Sequence, residues 1–219
     1  MIRIYPFIFI LLWSSAFITT KPIVDNSDPF SALAFRFFFV AIGFYLFSIY
    51  SKNSIIIKKE NLIESVFSGI LFHGLYLGGV FYSISIGMPA GIAALIVTLQ
   101  PILTNILSGP ILNEKVTIKQ WFGAILGFVG ATLVLGLDLG TDIPILGFIA
   151  TIVALIAITS STIWQKKLSD NLPLSVSNFY QAVGGCLFHT LIVIFIAEPY
   201  IDFTKTFFIA MSHQIFLVS

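Results

Sequence analysis

Two groups of hydroxyl and indole side chains sit inside apolar stretches of this chain, Trp13, Ser14 and Ser15 in one and Ser160, Ser161 and Trp164 in another. Such groups have two uses in an apolar helix. Small hydroxyls let helices approach closely and hydrogen-bond across a bundle, each bond contributing ~0.6–2 kcal/mol. They also suit a polar, aromatic-walled cavity that holds a small solute. A third stretch carries Gly69, His73, Tyr76 and Ser83, four, three and seven residues apart. That spacing stacks them on one helical face, predicted to look into a bundle or a wet cavity. His73 is the ionisable member, either a neutral hydrogen-bonded ring or a proton carrier.

A fourth stretch gathers Gln100, Pro101, Thr104 and Asn105 near its centre. Proline removes a backbone donor and frees the carbonyl one turn earlier, that of Val97, which side chains, water or a solute must then satisfy. The result is a kink that either shapes the bundle or lines a path through it. Arg36 lies about two turns inside a further apolar stretch. Its default reading is snorkelling to the outer interface or pairing with Asp25 or Asp28, and the alternative is a carboxylate-binding role.

The chain lacks a phosphate-binding loop, paired catalytic carboxylates, metal-spaced His and Cys residues and a nucleotide fingerprint. Its single cysteine, Cys186, offers no disulfide framework and reads as a small packing residue. No Asp or Glu lies deep within an apolar stretch. The sequence therefore points to no enzyme, no cofactor, no metal and no nucleic-acid partner.

The elements that must position these residues are read from length and charge. Hydrophobic residues are 58% of the chain and charged ones 10%, against roughly 25% charged in soluble domains. Eight apolar stretches run over about 4–21, 30–50, 62–86, 90–112, 120–137, 143–165, 174–197 and 204–219. A hydrocarbon core of ~30 Å needs about 20 helical residues. The predicted fold class is all-α integral membrane, a bundle of about eight transmembrane helices.

Suppose the first span enters from the cytoplasm. Arg3, Lys52, Lys58, Lys59, Lys115, Lys119, Lys166 and Lys167 then fall inside, and Lys21 and Lys205 outside. That bias predicts a cytoplasmic amino terminus in a cell (inner) membrane, with residues 1–21 a retained helix rather than a cleaved signal.

Residues 13–21, WSSAFITTK, and 159–167, TSSTIWQKK, align, and so do Asp25-Asn26 with Asp170-Asn171. Ordered agreement at a period of five spans predicts an inverted repeat, because an odd number of crossings reverses direction. The first repeat spans 1–137 with five helices and the second, truncated, spans 138–219 with three.

The stretch 89–136 resembles the fourth and fifth helices of the EamA family of the drug/metabolite transporter superfamily. The similarity lies in the small-residue run Ala90–Ala94, in Pro101, in Asn113-Glu114-Lys115 and in Gln120-Trp121-Phe122-Gly123. WSSAF at 13–17 and FRF at 35–37 are similar to the family's first and second helices, and 150–185 to the opening of its second half. The resemblance implies ten helices in two inverted repeats that move small metabolites, amino acids or drugs, often outward. Helices matching the ninth and tenth are lacking.

The reading is a permease that exports a small neutral or zwitterionic solute by alternating access, through a cavity lined by the first, third, fourth and sixth helices. Its substrate-binding candidates are Trp13, Ser14, Ser15, His73, Tyr76, Gln100, Pro101, Asn105, Ser160, Ser161 and Trp164. The alternative is a truncated paralogue that does not transport and acts at most as a membrane interaction partner. Gly123, Gly127 and Gly130, with Gly74 and Gly78, allow close helix contact within the monomer or a homodimer face.

Overall fold

A computed structural model describes residues 4–112, 115–135, 143–168 and 172–219. Asn113, Glu114, Asp138, Asp142 and Asp170-Asn171 lie outside the described residues, as does Arg3. Helix runs through α1 (Tyr5–Val24), α2 (Pro29–Tyr50), α3 (Lys59–Ser85) and α4 (Ala90–Leu112), then α5 (Ile118–Leu135), α6 (Ile145–Leu168), α7 (Leu174–Phe195) and α8 (Lys205–Val218). Six of these, α1–α4, α6 and α7, are long and apolar enough to cross a membrane, while α5 and α8 carry shorter apolar runs. The structure thus supports an all-α membrane protein at six spans, against about eight expected.

Local chemistry sets the helix ends. Asp28 caps α2 by accepting from the Ser31 amide at 2.7 Å, with Pro29 in the first turn where its missing N–H costs nothing. Thr204 caps α8 by accepting from the Phe207 amide at 3.1 Å. In α4 the helix breaks at Thr98–Leu99 and restarts at Gln100, one residue before Pro101, as the lost donor of that proline requires.

α3 departs from the simple periodicity. Ile70–Tyr76 forms a π-helical segment between two α-helical ones. The extra residue in that turn changes the phase of the face, so Gly69, His73, Tyr76 and Ser83 do not share one environment. Gly69 lies against the backbone of Gln181 in α7, and Ser83 donates to its own Val80 carbonyl at 2.8 Å. His73 and Tyr76 face inward together.

The core is built where α2 lies along α7 and α3 wedges between α6 and α7. Leu33, Phe37, Phe81, Ile84 and Ile158 are fully buried there, and so is Phe207 of α8. Glycine permits the closest crossing. Gly69 faces the Gln181 backbone and Gly184 faces the Val66 backbone, so α3 and α7 meet main chain to main chain. Gly123, Gly127 and Gly130 of α5 differ: no atom lies within 4 Å of where a Cβ would stand. Phe122, Ile125, Leu126, Val129 and Leu133 of α5 are likewise exposed, an apolar perimeter that suits hydrocarbon.

Candidate functional site

A cavity of about 230 Å³ opens between the helices of the two ends of the chain. α1 supplies Phe9, Trp13, Ala16, Phe17 and Thr20; α2 supplies Arg36, Val40 and Phe44. α3 contributes Phe72, His73, Tyr76, Leu77, Val80 and Phe81. Gln165 enters from α6, Asn178 and Gln181 from α7, and Gln214 and Val218 from α8, with Ser219 just beyond it. Three sequence candidates, Trp13, His73 and Tyr76, meet in this wall.

Their geometry follows from the π turn. Trp13 and Tyr76 stack with centroids 6.3 Å apart and planes 16° from parallel, and Phe72 stands edge-on to Trp13 at 6.3 Å. His73 lies 4.4 Å from the Phe37 ring, and its carbonyl accepts from Nε2 of His189 at 2.9 Å. A carbonyl only accepts, so His189 carries its proton on Nε2. That contact anchors the π segment to α7.

Arg36 corrects the sequence reading. It is neither at the interface nor paired with Asp25 or Asp28: its side chain is only 3% exposed. Asp25 instead pairs with Lys21, and Asp28 caps its own helix. The Arg36 guanidinium turns inward, donating from Nε and one terminal nitrogen to the Ser219 hydroxyl at 3.0 and 2.8 Å, and from the other to Oε1 of Gln214. Gln214, fully buried, also donates through Nε2 to the Ala16 carbonyl and to Thr19 and Thr20, at 3.1–3.2 Å. One amide thus ties α8 to both α1 and α2.

On the opposite wall a polar chain joins α3, α6 and α7. The hydroxyls of Ser68 and Ser161 are 3.2 Å apart, Gln165 donates to Ser161 at 3.3 Å and to Gln181 at 2.9 Å, and Gln181 donates to Ser177 at 2.9 Å. Ser161 therefore buttresses the glutamines that reach the cavity without lining it.

The remaining candidates lie elsewhere. Ser14 is exposed, and Ser15 donates to the Leu12 carbonyl and pairs with Nε2 of His213 at 3.1 Å. Ser160 is partly exposed, and Trp164 packs edge-on against Phe67 at 5.4 Å on the outer face. Gln100 donates to Thr162 at 2.9 Å, tying α4 to α6, while Pro101 is exposed and Asn105 half-buried in the second segment of α4. No residue of α4 lines this cavity. Sequence reasoning missed the roles of Gln165, Gln181 and Gln214. Gln165 had a signal, since it follows Ser161 by one turn within the aligned stretch 159–167; Gln214 had none.

The arrangement can hold a small solute with an apolar body against aromatic rings and a polar end against Arg36 and the glutamines. Comparison with known proteins agrees with a solute-handling membrane protein. The chain is 25% identical over 165 residues to a probable amino-acid metabolite efflux pump of Salmonella typhimurium, covering 75% of this chain and 53% of that one. It is 25% identical over 166 residues to an uncharacterized transporter of Bacillus subtilis, covering 71% and 53% respectively. The chain spans about half the length of these curated relatives. A solved crystal structure superposes with a TM-score of 0.76 at 20% identity, over 95% of this chain and 71% of the other, which shows the shared fold. Residues 3–136 match the EamA-like transporter family. That match covers more than half of the sequence and contains three sides of the cavity wall, and on it the chain belongs to the EamA-like transporter family.

Proposed function

We propose that this chain is a multi-pass permease of the cell (inner) membrane, amino terminus cytoplasmic, that moves a small organic solute outward by alternating access. The observation that carries the reading is the cavity itself. It is enclosed by α1–α3 on one side and α6–α8 on the other, within an apolar perimeter. Secondary transporters hold their solute between two such halves. The relatives named as transporters and as an amino-acid metabolite efflux pump support the same class.

Two sets of hydrogen bonds support α5 as a further crossing. The Asp202 amide donates to the Asn26 carbonyl at 2.7 Å and the Asp28 amide to that of Tyr200 at 3.0 Å, joining the end of α1 to the end of α7. Asn53 donates to Ser175 at 3.0 Å and the Tyr180 hydroxyl to the Ile55 carbonyl at 2.7 Å, joining the end of α2 to the start of α7. A hydrocarbon core ~30 Å thick separates the membrane surfaces, so segments bonded to each other at helix ends share one surface. Each interval then needs an even number of crossings. Between Asn26 and Tyr200 the long helices are α2, α3, α4, α6 and α7; between Ile55 and Ser175 they are α3, α4 and α6. Both counts are odd, and α5 makes both even. α8 starts at the first of these surfaces, where Thr204 donates to Asn26 at 2.9 Å, and runs inward along α1. With α5 crossing, α1 and α6 enter from opposite sides, the relation expected of inverted repeats at 1–137 and 138–219.

Reconstitution of the chain in proteoliposomes loaded with a panel of radiolabelled amino acids tests the reading. At least one solute is expected to leave faster than from empty liposomes. Trp13→Ala and Tyr76→Ala are expected to slow it, and Phe122→Ala, on the lipid side of α5, to keep it. Absence of solute-specific flux for every member of the panel overturns the proposal.

A further inference from the structure

Among the side chains that line the cavity Arg36 is the one cation, and none is a carboxylate. Arg36 is buried, yet no Asp or Glu among the described residues lies within ion-pair distance of it. The groups it bonds, the side-chain amide of Gln214 and the hydroxyl of Ser219, are neutral. The Phe37 ring, 5.3 Å from the guanidinium carbon, adds a weak attraction. An isolated charge in a low-dielectric interior is expensive unless a counter-charge arrives. In a membrane such a residue marks a pathway or a ligand site.

Donor counting shows where the counter-charge belongs. A guanidinium has five N–H donors, one on Nε and two on each terminal nitrogen. Arg36 makes one hydrogen bond from each of its three nitrogens. One N–H on each terminal nitrogen therefore remains open, beside the cavity that the residue lines. A pair of N–H groups on adjacent nitrogens matches the two oxygens of a carboxylate. The same cavity is lined by the aromatic rings of Trp13, Phe72 and Tyr76. No Asp or Glu lines the cavity, so a solute ammonium finds only neutral amide and hydroxyl oxygens among the lining side chains. The volume of about 230 Å³ falls below the ~300–1,000 Å³ of drug-sized pockets, which restricts the occupant to a small molecule.

We propose that the solute is a small organic monoanion, a carboxylate docked on Arg36 with an apolar or aromatic body stacked against Trp13 and Tyr76. This deepens the permease reading and rests on it for the direction of use, though the dock itself is a binding property. Zwitterionic amino acids share the carboxylate and bind less tightly, because their ammonium has no counter-charge. Amines are excluded by Arg36.

The test compares analogues of one shape on the full chain in lipid nanodiscs by calorimetric titration: 3-phenylpropionate, phenylalanine, 3-phenylpropionamide and phenethylamine. The expected order of affinity is the same as that order of naming, with the carboxylate at least about tenfold tighter than the amide, equivalent to about 1.4 kcal/mol. This comparison needs no variant and so does not depend on one folding. Arg36→Gln is expected to erase the preference. Gln214→Glu, which keeps the side-chain shape and sets an internal carboxylate against the guanidinium, is expected to weaken 3-phenylpropionate by a similar factor while sparing the amide. Equal binding of carboxylate and amide, or a preference that survives Arg36→Gln, overturns the dock. So does binding of neither at millimolar concentration. Flux of the same compounds into proteoliposomes separates the two claims. Equal transport of amide and carboxylate overturns the dock and leaves the permease, whereas tight carboxylate binding without flux overturns the permease and leaves the dock.

Discussion

Gly185→Ala and Gly127→Ala are the same chemical change in two helices, and the structure gives them opposite consequences. A Cβ at Gly185 of α7 would stand 2.5 Å from the His73 Cβ, whereas ordinary contact begins near 3.4 Å. The π segment of α3 and α7 would have to part there by about 0.9 Å. No rotamer relieves the clash, since a Cβ is fixed by its backbone, and Phe37 closes the site at 3.5 Å. Overpacking of this kind costs about 1–3 kcal/mol. At Gly127 of α5 nothing lies within 4 Å, so only the helix preference of alanine over glycine acts, a gain of up to about 1 kcal/mol.

That preference acts at both sites and cancels in the comparison. Gly185→Ala is expected to be less stable than Gly127→Ala by about 1–3 kcal/mol. Unfolding by SDS in mixed micelles, followed by tryptophan fluorescence, measures the difference directly. Gly185→Ala should also slow solute flux, because the displaced segment carries His73 and Tyr76. Equal stability of the two variants, or the reverse order, refutes the close approach of α3 to α7 at Gly185. A large loss at Gly127 alone would mean that the glycine face of α5 is packed in the membrane, as a homodimer face would require.

Gln214→Leu should destabilise the fold by about 2–4 kcal/mol, since a hydrogen bond to a charge contributes ~1.5–3 kcal/mol and each neutral interhelical one in a membrane ~0.6. The same unfolding assay checks it, and a loss below ~0.5 kcal/mol would deny that Gln214 holds α8 to α1 and α2. Ser161→Ala removes the link from Ser68 to Gln165 and is expected to cost about 0.6–1.7 kcal/mol; an unchanged midpoint refutes the buttress. Reporter fusions at Asn53 and Asp202 should report opposite surfaces, cytoplasmic and external. A common surface for both would remove α5 from the set of crossings.

The six long apolar helices were legible because bilayer thickness imposes a length and an apolar composition that sequence records directly. The break in α4 was legible for an equally local reason, the missing donor of Pro101, and it falls at Thr98–Leu99. What failed to show is what depends on distant partners. Arg36 reads as an interfacial residue until Gln214, 178 positions later, is seen to meet it. The π turn at Ile70–Tyr76 was hidden because its side chains fit an ordinary helical period, and the irregularity is one of phase. Glycines illustrate the same limit. Those at 127 and 185 are identical in sequence terms, yet one borders empty space and the other a histidine.

An inverted repeat predicts that matching residues of α1 and α6 meet at the centre, and that symmetry is broken in a particular way. Trp13 reaches the cavity, while Thr159, its match in the alignment, is buried and donates to the Leu155 carbonyl of its own helix. Ser161 is buried against Ser68, whereas Ser15 turns to His213. On the permease reading this asymmetry is what one end state of alternating access should display, because two mirrored halves in identical conformations would open the cavity equally to both surfaces. The Ser68–Ser161 contact seals α3 against α6 on one side of the cavity, and the aromatic cluster of Trp13, Phe72 and Tyr76 lines the other. The opposite state must loosen one of these contacts. A disulfide between Ser68→Cys and Ser161→Cys, in a chain whose Cys186 is replaced by serine, is therefore expected to arrest flux and to restore it on reduction. Flux unaffected by the crosslink would show that this seam does not move, and alternating access would need another hinge.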